Sequence, residues 1–174
     1  SYGGQVALHL AEKRPDRVGS MVLISPPTNL NRVPLILRFG LARSALYPFL
    51  RLALSDPARF HKLFKRGYHR QEVFTDEVSE EYRKRLLVEG LWNAYQGFGS
   101  NLVNGPDAPL GSDLPILVIA GRHDQIIPLD GLEGFVKQMP QARLKIFEDS
   151  GHSSPEEEPE TLGLAIEGFL KGRR

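Results

Sequence analysis

The hydrophobic residues of this chain fall into short continuous runs separated by longer amphipathic stretches. Apolar runs at 21–25 and 115–120 predict strands of the kind that a parallel sheet buries on both faces, and the segment 143–147 predicts a third strand. Apolar residues recur at helical spacing in the stretches 3–14, 129–139 and 159–170. Strands that alternate with helices predict an α/β fold with a mostly parallel sheet.

Two of the predicted helices have a clear apolar face and a clear end. Pro15 is expected to end the first helix, since proline cannot continue the helical hydrogen-bond pattern. The apolar faces consist of Val6, Ala7, Leu10 and Ala11 in the first helix and of Leu162, Ala165, Ile166 and Phe169 in the last.

The segment between the first two strands has a different character and predicts a helical cap. Ser55-Asp56-Pro57 and Thr75-Asp76-Glu77 are typical helix starts, with a capping side chain before the first turn, and Gly90 is a stop signal. Asn104 to Pro109 are turn residues typical of a linker. The predicted division is a core of residues 1–30 and 111–174 and an inserted cap of residues 31–110.

The cap segment is also rich in aromatic residues, which favours an apolar acyl or aromatic substrate group if the rings face a pocket. A small helical core is the other explanation for the same residues. They include Phe39, Tyr47, Phe49, Phe60, Phe64, Trp92, Tyr95 and Phe98.

Composition narrows the classes of protein that the chain fits. It has 174 residues, of which 41% are hydrophobic and 25% charged, as expected of one globular domain with a core. A formal net charge of +1 gives no general electrostatic case for binding nucleic acid or a membrane surface, and no apolar run is long enough to span a bilayer. The absence of cysteine excludes disulfides and zinc-thiolate sites and weakly favours a reducing, cytoplasmic setting.

Three polar motifs come at the ends of predicted core elements. Ser1-Tyr2-Gly3-Gly4 opens the first helix, with Gly4 placed to let that helix pack closely on the sheet. Asp124 follows the second strand in Gly121-Arg122-His123-Asp124, and His152 follows the third in Ser150-Gly151-His152. Ligands of open parallel sheets bind beyond the carboxyl ends of the strands, so all three motifs are expected at one sheet edge.

Taken together, these motifs resemble the α/β-hydrolase superfamily, in particular its capped esterases, lipases and proline iminopeptidase-like enzymes. Ser1 to Gly4 resemble the second half of the nucleophile elbow, Gly121 to Pro128 resemble the acid loop, and Ser150 to His152 resemble the histidine loop. The order serine, aspartate, histidine is the order of that superfamily. Each residue alone is commonplace: a capping aspartate, a loop histidine and a serine at a terminus.

The resemblance implies a catalytic triad of Ser1, Asp124 and His152. His152 would take the hydroxyl proton as Ser1 attacks a carbonyl carbon, and Asp124 would orient and stabilise the imidazole. The backbone N–H of Tyr2 would be one oxyanion-hole donor, and the second would come from a loop outside this sequence. The expected substrates are small esters or amides, with no cofactor and no metal. A serine at the nucleophile position disfavours the dehalogenase and epoxide-hydrolase branches, which carry aspartate there.

Several alternatives stay open at this stage. They are proline iminopeptidase activity, cleavage of a carbon–carbon bond β to a ketone, a non-catalytic binding scaffold, and a Ser1 whose own α-amino group serves as the base. The superfamily sheet has about eight strands and this sequence predicts three, so the chain is expected to lack the N-terminal strands and to need the rest of the same protein as a partner.

The remaining charged and histidine residues are expected to have structural or solvated roles. Glu156-Glu157-Glu158 is interpreted as a solvated helix start. His9, His61 and His69 lie on predicted helical segments, and His123 is interpreted as a loop residue beside Asp124.

Overall fold

The computed structural model describes residues 1–27, 49, 51–88, 90 and 113–172. The chain divides into two compact units, of which the core unit comprises Ser1–Asn29, Gly67–Val73 and Asn104–Arg174. The helical unit comprises Leu30–Arg66 and Phe74–Val103. Residues 67–73 thus belong to the core unit, although they lie inside the span for which a cap is predicted. The predicted linker at 104–109 and the aromatic residues Phe39, Tyr47, Trp92, Tyr95 and Phe98 lie outside the described residues.

The core unit alternates helices and strands along the chain. The strands are β1 (Met21–Ile24), β2 (Ile116–Gly121) and β3 (Ala142–Phe147). The helices of this unit are α1 (Tyr2–Lys13), α4 (Leu129–Lys137), α5 (Ser154–Glu157) and α6 (Pro159–Lys171), and a 3-10 turn spans Pro15–Arg17. The helical unit contains α2 (Pro57–Phe64) and α3 (Asp76–Leu86), and a second 3-10 turn spans Lys65–Gly67.

Among the described residues, the three strands form one parallel sheet in the order β1-β2-β3. Met21 pairs with Ile116, and Ile116 in turn pairs with Ala142, so the three strands run in register from their first residues. All six residues of β2 are buried, which agrees with its continuous apolar sequence. The predicted parallel sheet and the α/β fold class are therefore confirmed.

Successive residues of β2 point to opposite faces of the sheet and enter two separate apolar clusters. Ile116, Val118 and Ala120 join the larger cluster, which also takes residues of α1, β1 and α4. Leu117 and Ile119 join the smaller cluster. The other residues of that cluster are Phe147 and Ala165, with Leu162 and Phe169 of α6 packed against it. The predicted inner face of the last helix is thus confirmed except for Ile166.

The face of α1 that packs in the core unit agrees only in part with the face predicted from its sequence, since Ala11 is buried and Ala7 packs against the larger cluster. Gln5, Leu8 and Ala11 are buried, whereas Val6 and Leu10 are 56% and 50% exposed. Valine, alanine and leucine cover much of the circumference of this helix, so its periodicity alone does not fix which side meets the sheet.

The close approach of α1 to the end of β1 depends on Gly4. A Cβ on Gly4 would lie 2.8 Å from Cβ of Pro26, whereas a Cβ on Gly3 would meet no atom within 4 Å among the described residues. The prediction for Gly4 is therefore confirmed.

Both predicted helix starts in the helical unit are confirmed by their capping bonds. The side chain of Asp56 accepts a hydrogen bond from the N–H of Arg59, and the Thr75 hydroxyl accepts one from the N–H of Val78. Each bond satisfies an N–H group that has no acceptor within its own helix. Phe60 is fully buried and stacks on Phe64, with ring centroids 4.2 Å apart.

One short helix was not expected from the sequence. Helix α5 ends within the acidic run 156–158, for which the sequence predicts a solvated helix start, yet Glu157 at its end is only 1% exposed. That interpretation is wrong for Glu157, because its carboxyl group accepts hydrogen bonds from the backbone N–H groups of His69 and Arg70, which are distant in sequence.

No helix among the described residues combines the length and hydropathy that a bilayer-spanning helix requires.

Candidate active site

The three candidate residues all lie at the carboxyl edge of the sheet, where the parallel strands end. The backbone nitrogen of Ser1 donates a hydrogen bond to the carbonyl oxygen of Ile24, the last residue of β1, at 2.6 Å. Asp124 follows the end of β2 by three residues, and His152 follows the end of β3 by five. Three motifs that are far apart in sequence therefore meet at one edge, as the topology of a parallel sheet predicts.

Asp124 and His152 are joined by a hydrogen bond. His152 Nδ1 lies 2.8 Å from Asp124 Oδ2, and the two side chains are 15% and 0% exposed. The expected contact between these two residues is confirmed, while their catalytic role stays a prediction. With Nδ1 bonded to the carboxylate, Nε2 is the ring nitrogen available to take a proton from a nucleophile.

The second carboxylate oxygen of Asp124 is held by its own loop. Oδ1 accepts hydrogen bonds from the N–H groups of Ile126 and Ile127, each at 2.8 Å. Burial raises the pKa of Asp124, but the hydrogen bond and charge of His152 and the two backbone bonds outweigh it, and the pKa lies below its ordinary value. Asp124 is therefore an ionised partner for an imidazolium at neutral pH.

This lowered pKa predicts a specific loss of stability in acid. A group whose pKa is depressed by folding stabilises the fold above its unfolded pKa, about 3.9 for aspartate, and loses that contribution as pH falls through the folded pKa. The stability difference between the wild type and Asp124→Asn is therefore expected to shrink between about pH 5 and pH 3. Urea unfolding of both proteins across this range measures it.

Asp16→Asn is the matched control, because Asp16 is exposed and its pKa is lowered chiefly by a hydrogen bond from Arg14. Its effect is expected to be small and to disappear at high salt, whereas the effect of Asp124 should persist. A wild-type-to-Asp124→Asn difference that stays constant down to about pH 3 would contradict the assignment.

Ser1 stands at the N-cap of α1 with no side-chain capping bond, so its hydroxyl is not used to hold the helix. Tyr2 is the first residue of α1. Its N–H lies at the positive end of the helix dipole, where a developing oxyanion is stabilised.

The acid loop and the histidine loop are in direct backbone contact. The N–H of Arg122 donates to the Phe147 carbonyl at 2.8 Å, and the N–H of His123 donates to the Ser150 carbonyl at 3.0 Å. A Cβ on Gly121 would lie 2.0 Å from the Gly151 carbonyl oxygen, so this approach requires glycine. These backbone contacts therefore fix the loop that carries Asp124 relative to the loop that carries His152.

Residues 67–73 form a third backbone segment at this site, which sequence reasoning missed. The N–H of His152 donates to the Gly67 carbonyl oxygen at 2.7 Å, and the ring of His69 stacks on that of His123, with centroids 3.7 Å apart. A Cβ on Gly151 would lie 2.7 Å from the same Gly67 oxygen. No local signal in the sequence predicts this attachment, because the partners of the segment come much later in the chain.

No group of three or more histidine, aspartate or glutamate residues among those described is arranged to hold a metal ion.

The α/β-hydrolase fold family matches residues 1–159 of the chain. The chain belongs to this family, and the resemblance inferred from the three motifs is confirmed.

Similar proteins include hydrolytic enzymes of known structure or activity. The chain is 30% identical to a pimeloyl-[acyl-carrier protein] methyl ester esterase of Aromatoleum aromaticum, over 99% of this chain and 72% of that protein. It is 29% identical to a 2-hydroxymuconate semialdehyde hydrolase of Pseudomonas putida, over 98% of this chain and 60% of that protein. A thermophilic esterase from Thermogutta terrifontis superposes with a TM-score of 0.69 at 25% identity, over 99% of this chain and 62% of that one.

The chain thus spans between 60% and 72% of the length of these three relatives. The activity of the complete protein is accordingly a matter of proposal.

Proposed function

We propose that the protein containing this chain is a serine hydrolase that cleaves small carboxylic esters through an acyl-enzyme on Ser1. The observation that carries the proposal is the 2.8 Å contact between His152 and the ionised, buried Asp124, at the sheet edge where Ser1 also lies. A base oriented in this way is what a serine hydroxyl requires to become a nucleophile.

The proposed reaction has two half-reactions, and His152 transfers a proton in each of them. Ser1 Oγ attacks the ester carbonyl carbon while its proton passes to His152 Nε2, and the oxyanion that forms faces the N–H of Tyr2. The intermediate then collapses, and the leaving alkoxide takes the proton from His152. Water attacks the resulting acyl-enzyme with His152 again as the base, which releases the carboxylic acid and restores Ser1. Asp124 stays ionised and stabilises the imidazolium in both half-reactions.

Two of the similar proteins support an ester substrate. The curated relative at 30% identity acts on a methyl ester according to its name, and the similar thermophilic protein is also an esterase. A second candidate, carbon–carbon bond hydrolysis, is favoured by the 2-hydroxymuconate semialdehyde hydrolase at 29% identity. The same triad fits both reactions, so the substrate class follows from assays on the complete protein.

A fluorophosphonate probe tests the proposal directly. The complete protein is expected to be labelled at Ser1, as mapped by mass spectrometry of the modified peptide, and heat-denatured protein should not react. A folded protein that is not labelled at Ser1 would contradict the proposal and favour a binding scaffold.

Parallel assays on three substrates then rank the reactions. The value of kcat/KM is expected to be highest for p-nitrophenyl butyrate. A higher value for 2-hydroxymuconate semialdehyde would assign the second candidate instead, and a higher value for prolyl-naphthylamide would assign an aminopeptidase.

A further inference from the structure

Glu157 is a buried acidic side chain of the core unit to which the proposed reaction assigns no role. It is only 1% exposed and lies at the end of α5, five residues after His152 in sequence. A buried carboxyl group is costly unless its oxygens are well hydrogen-bonded, so its partners indicate what the residue is for.

Both carboxyl oxygens of Glu157 accept hydrogen bonds from backbone N–H groups. Oε1 accepts one from Gly151 at 2.9 Å. Oε2 accepts two, from His69 at 2.7 Å and from Arg70 at 2.8 Å. Arg70 also donates from Nη1 to the backbone carbonyl of Glu157 at 2.6 Å. One side chain therefore ties the histidine loop to the segment of residues 67–73.

These bonds enclose the backbone of His152 on both sides. Glu157 holds the N–H of Gly151, the residue directly before His152, while the N–H of His152 itself donates to Gly67 in the segment that Glu157 also holds. If the carboxyl group were lost, both attachments of the histidine loop would loosen together. The alignment of the imidazole on Asp124 would then depend on the 2.8 Å hydrogen bond between the two side chains.

We infer that Glu157 is a positioning residue that fixes the backbone around His152 so that the imidazole stays aligned on Asp124. Glu157 acts through the peptide groups of residues 69, 70 and 151, whose N–H groups donate to its carboxyl oxygens. The catalytic part of this inference rests on the proposed hydrolase function, whereas the alignment of His152 does not.

The residue must be an acceptor at both oxygens. An ionised carboxyl group only accepts, and bonds from N–H groups to it are stronger than those between neutral groups. Glutamine has nearly the same shape but replaces one oxygen with an NH2 donor, which would face an N–H donor. Glu157→Gln therefore removes at least one of the three bonds with little change in volume.

The test compares Glu157→Gln with Glu167→Gln in the complete protein. Glu167 is an exposed glutamate of α6 that pairs with Lys171, so its variant controls for the loss of one carboxylate. The first readout is the NMR signal of the His152 Nδ1–H proton, which is expected far downfield because that proton lies in the bond to Asp124. The signal is assigned by its absence from His152→Gln. The second readout is the split between kcat and KM for p-nitrophenyl butyrate.

In Glu157→Gln, the downfield proton is expected to shift or broaden, and kcat is expected to fall by about 10²-fold with KM unchanged. Glu167→Gln should match the wild type in both readouts. A downfield proton and a kcat equal to those of Glu167→Gln would overturn the inference. If Glu157→Gln does not fold, Glu157→Asp takes its place, since it keeps both acceptor oxygens with a shorter reach, and the same two readouts decide.

The two readouts separate this inference from the proposed function. A wild-type protein that hydrolyses no ester but shows the proton shift in Glu157→Gln would retain the positioning role and lose the hydrolase proposal. An active wild type in which Glu157→Gln changes neither readout would retain the hydrolase proposal and lose the positioning role.

Discussion

Replacing His152 with alanine is expected to lower kcat for p-nitrophenyl butyrate by a factor on the order of 10⁶ in the complete protein. Without the imidazole, no other group bonded to Asp124 can take the proton of Ser1, so the nucleophile is lost together with its base. Ser1→Ala is expected to cost about as much, and the double variant about as much as either single one, because triad residues act as a unit.

His123→Ala is the control for this prediction. His123 is exposed, lies one residue from Asp124 and stacks on His69, so its loss tests whether any histidine near the acid loop has the same effect. Its kcat is expected to stay close to that of the wild type. A His152→Ala variant that kept a tenth or more of the wild-type kcat would exclude His152 as the general base.

The sequence predicted the parts of this molecule that are set by local signals. β1 and β2 are short apolar runs, and the motifs that follow β2 and β3 contain Asp124 and His152. A parallel sheet brings the ends of its strands together, so the prediction that these two side chains meet needed only the order of the elements. The hydrogen bond between them confirms that step.

The sequence did not predict what depends on contacts between distant residues. Glu157 was interpreted as solvated because it stands in a run of three glutamates, and charged runs usually face water. Its burial depends on N–H groups of His69 and Arg70, which lie 88 and 87 residues earlier in the chain. The same cause explains why the attachment of residues 67–73 to the core unit was missed: their sequence carries no signal that separates them from the helices on either side.

The sequence predicts only some of the close backbone contacts that glycine residues allow. Gly4 was expected to allow tight packing, because glycines near a nucleophile turn have a known reason to be small. Gly121 and Gly151 were quoted only as members of motifs, and the structure adds the reason for each. An added Cβ at Gly121 would overlap the Gly151 carbonyl oxygen, and one at Gly151 would meet the Gly67 carbonyl oxygen. The acid loop, the histidine loop and residues 67–73 therefore pack backbone against backbone, with no room for a Cβ at Gly121 or Gly151.

Gly121→Ala is accordingly expected to destabilise the complete protein by about 3 kcal/mol and to abolish most of its esterase activity. The new Cβ would lie 2.0 Å from the Gly151 oxygen and 2.5 Å from that of Ser150, and both are backbone atoms that cannot rotate away. The histidine loop must then move, which displaces His152 from Asp124. Gly163→Ala is the matched control, because a Cβ at Gly163 meets no atom of the described residues within 4 Å and alanine favours a helix over glycine by up to about 1 kcal/mol. Urea unfolding midpoints are therefore expected to shift in opposite directions for the two variants. A Gly121→Ala protein as stable and as active as Gly163→Ala would show that the loops do not need this backbone contact.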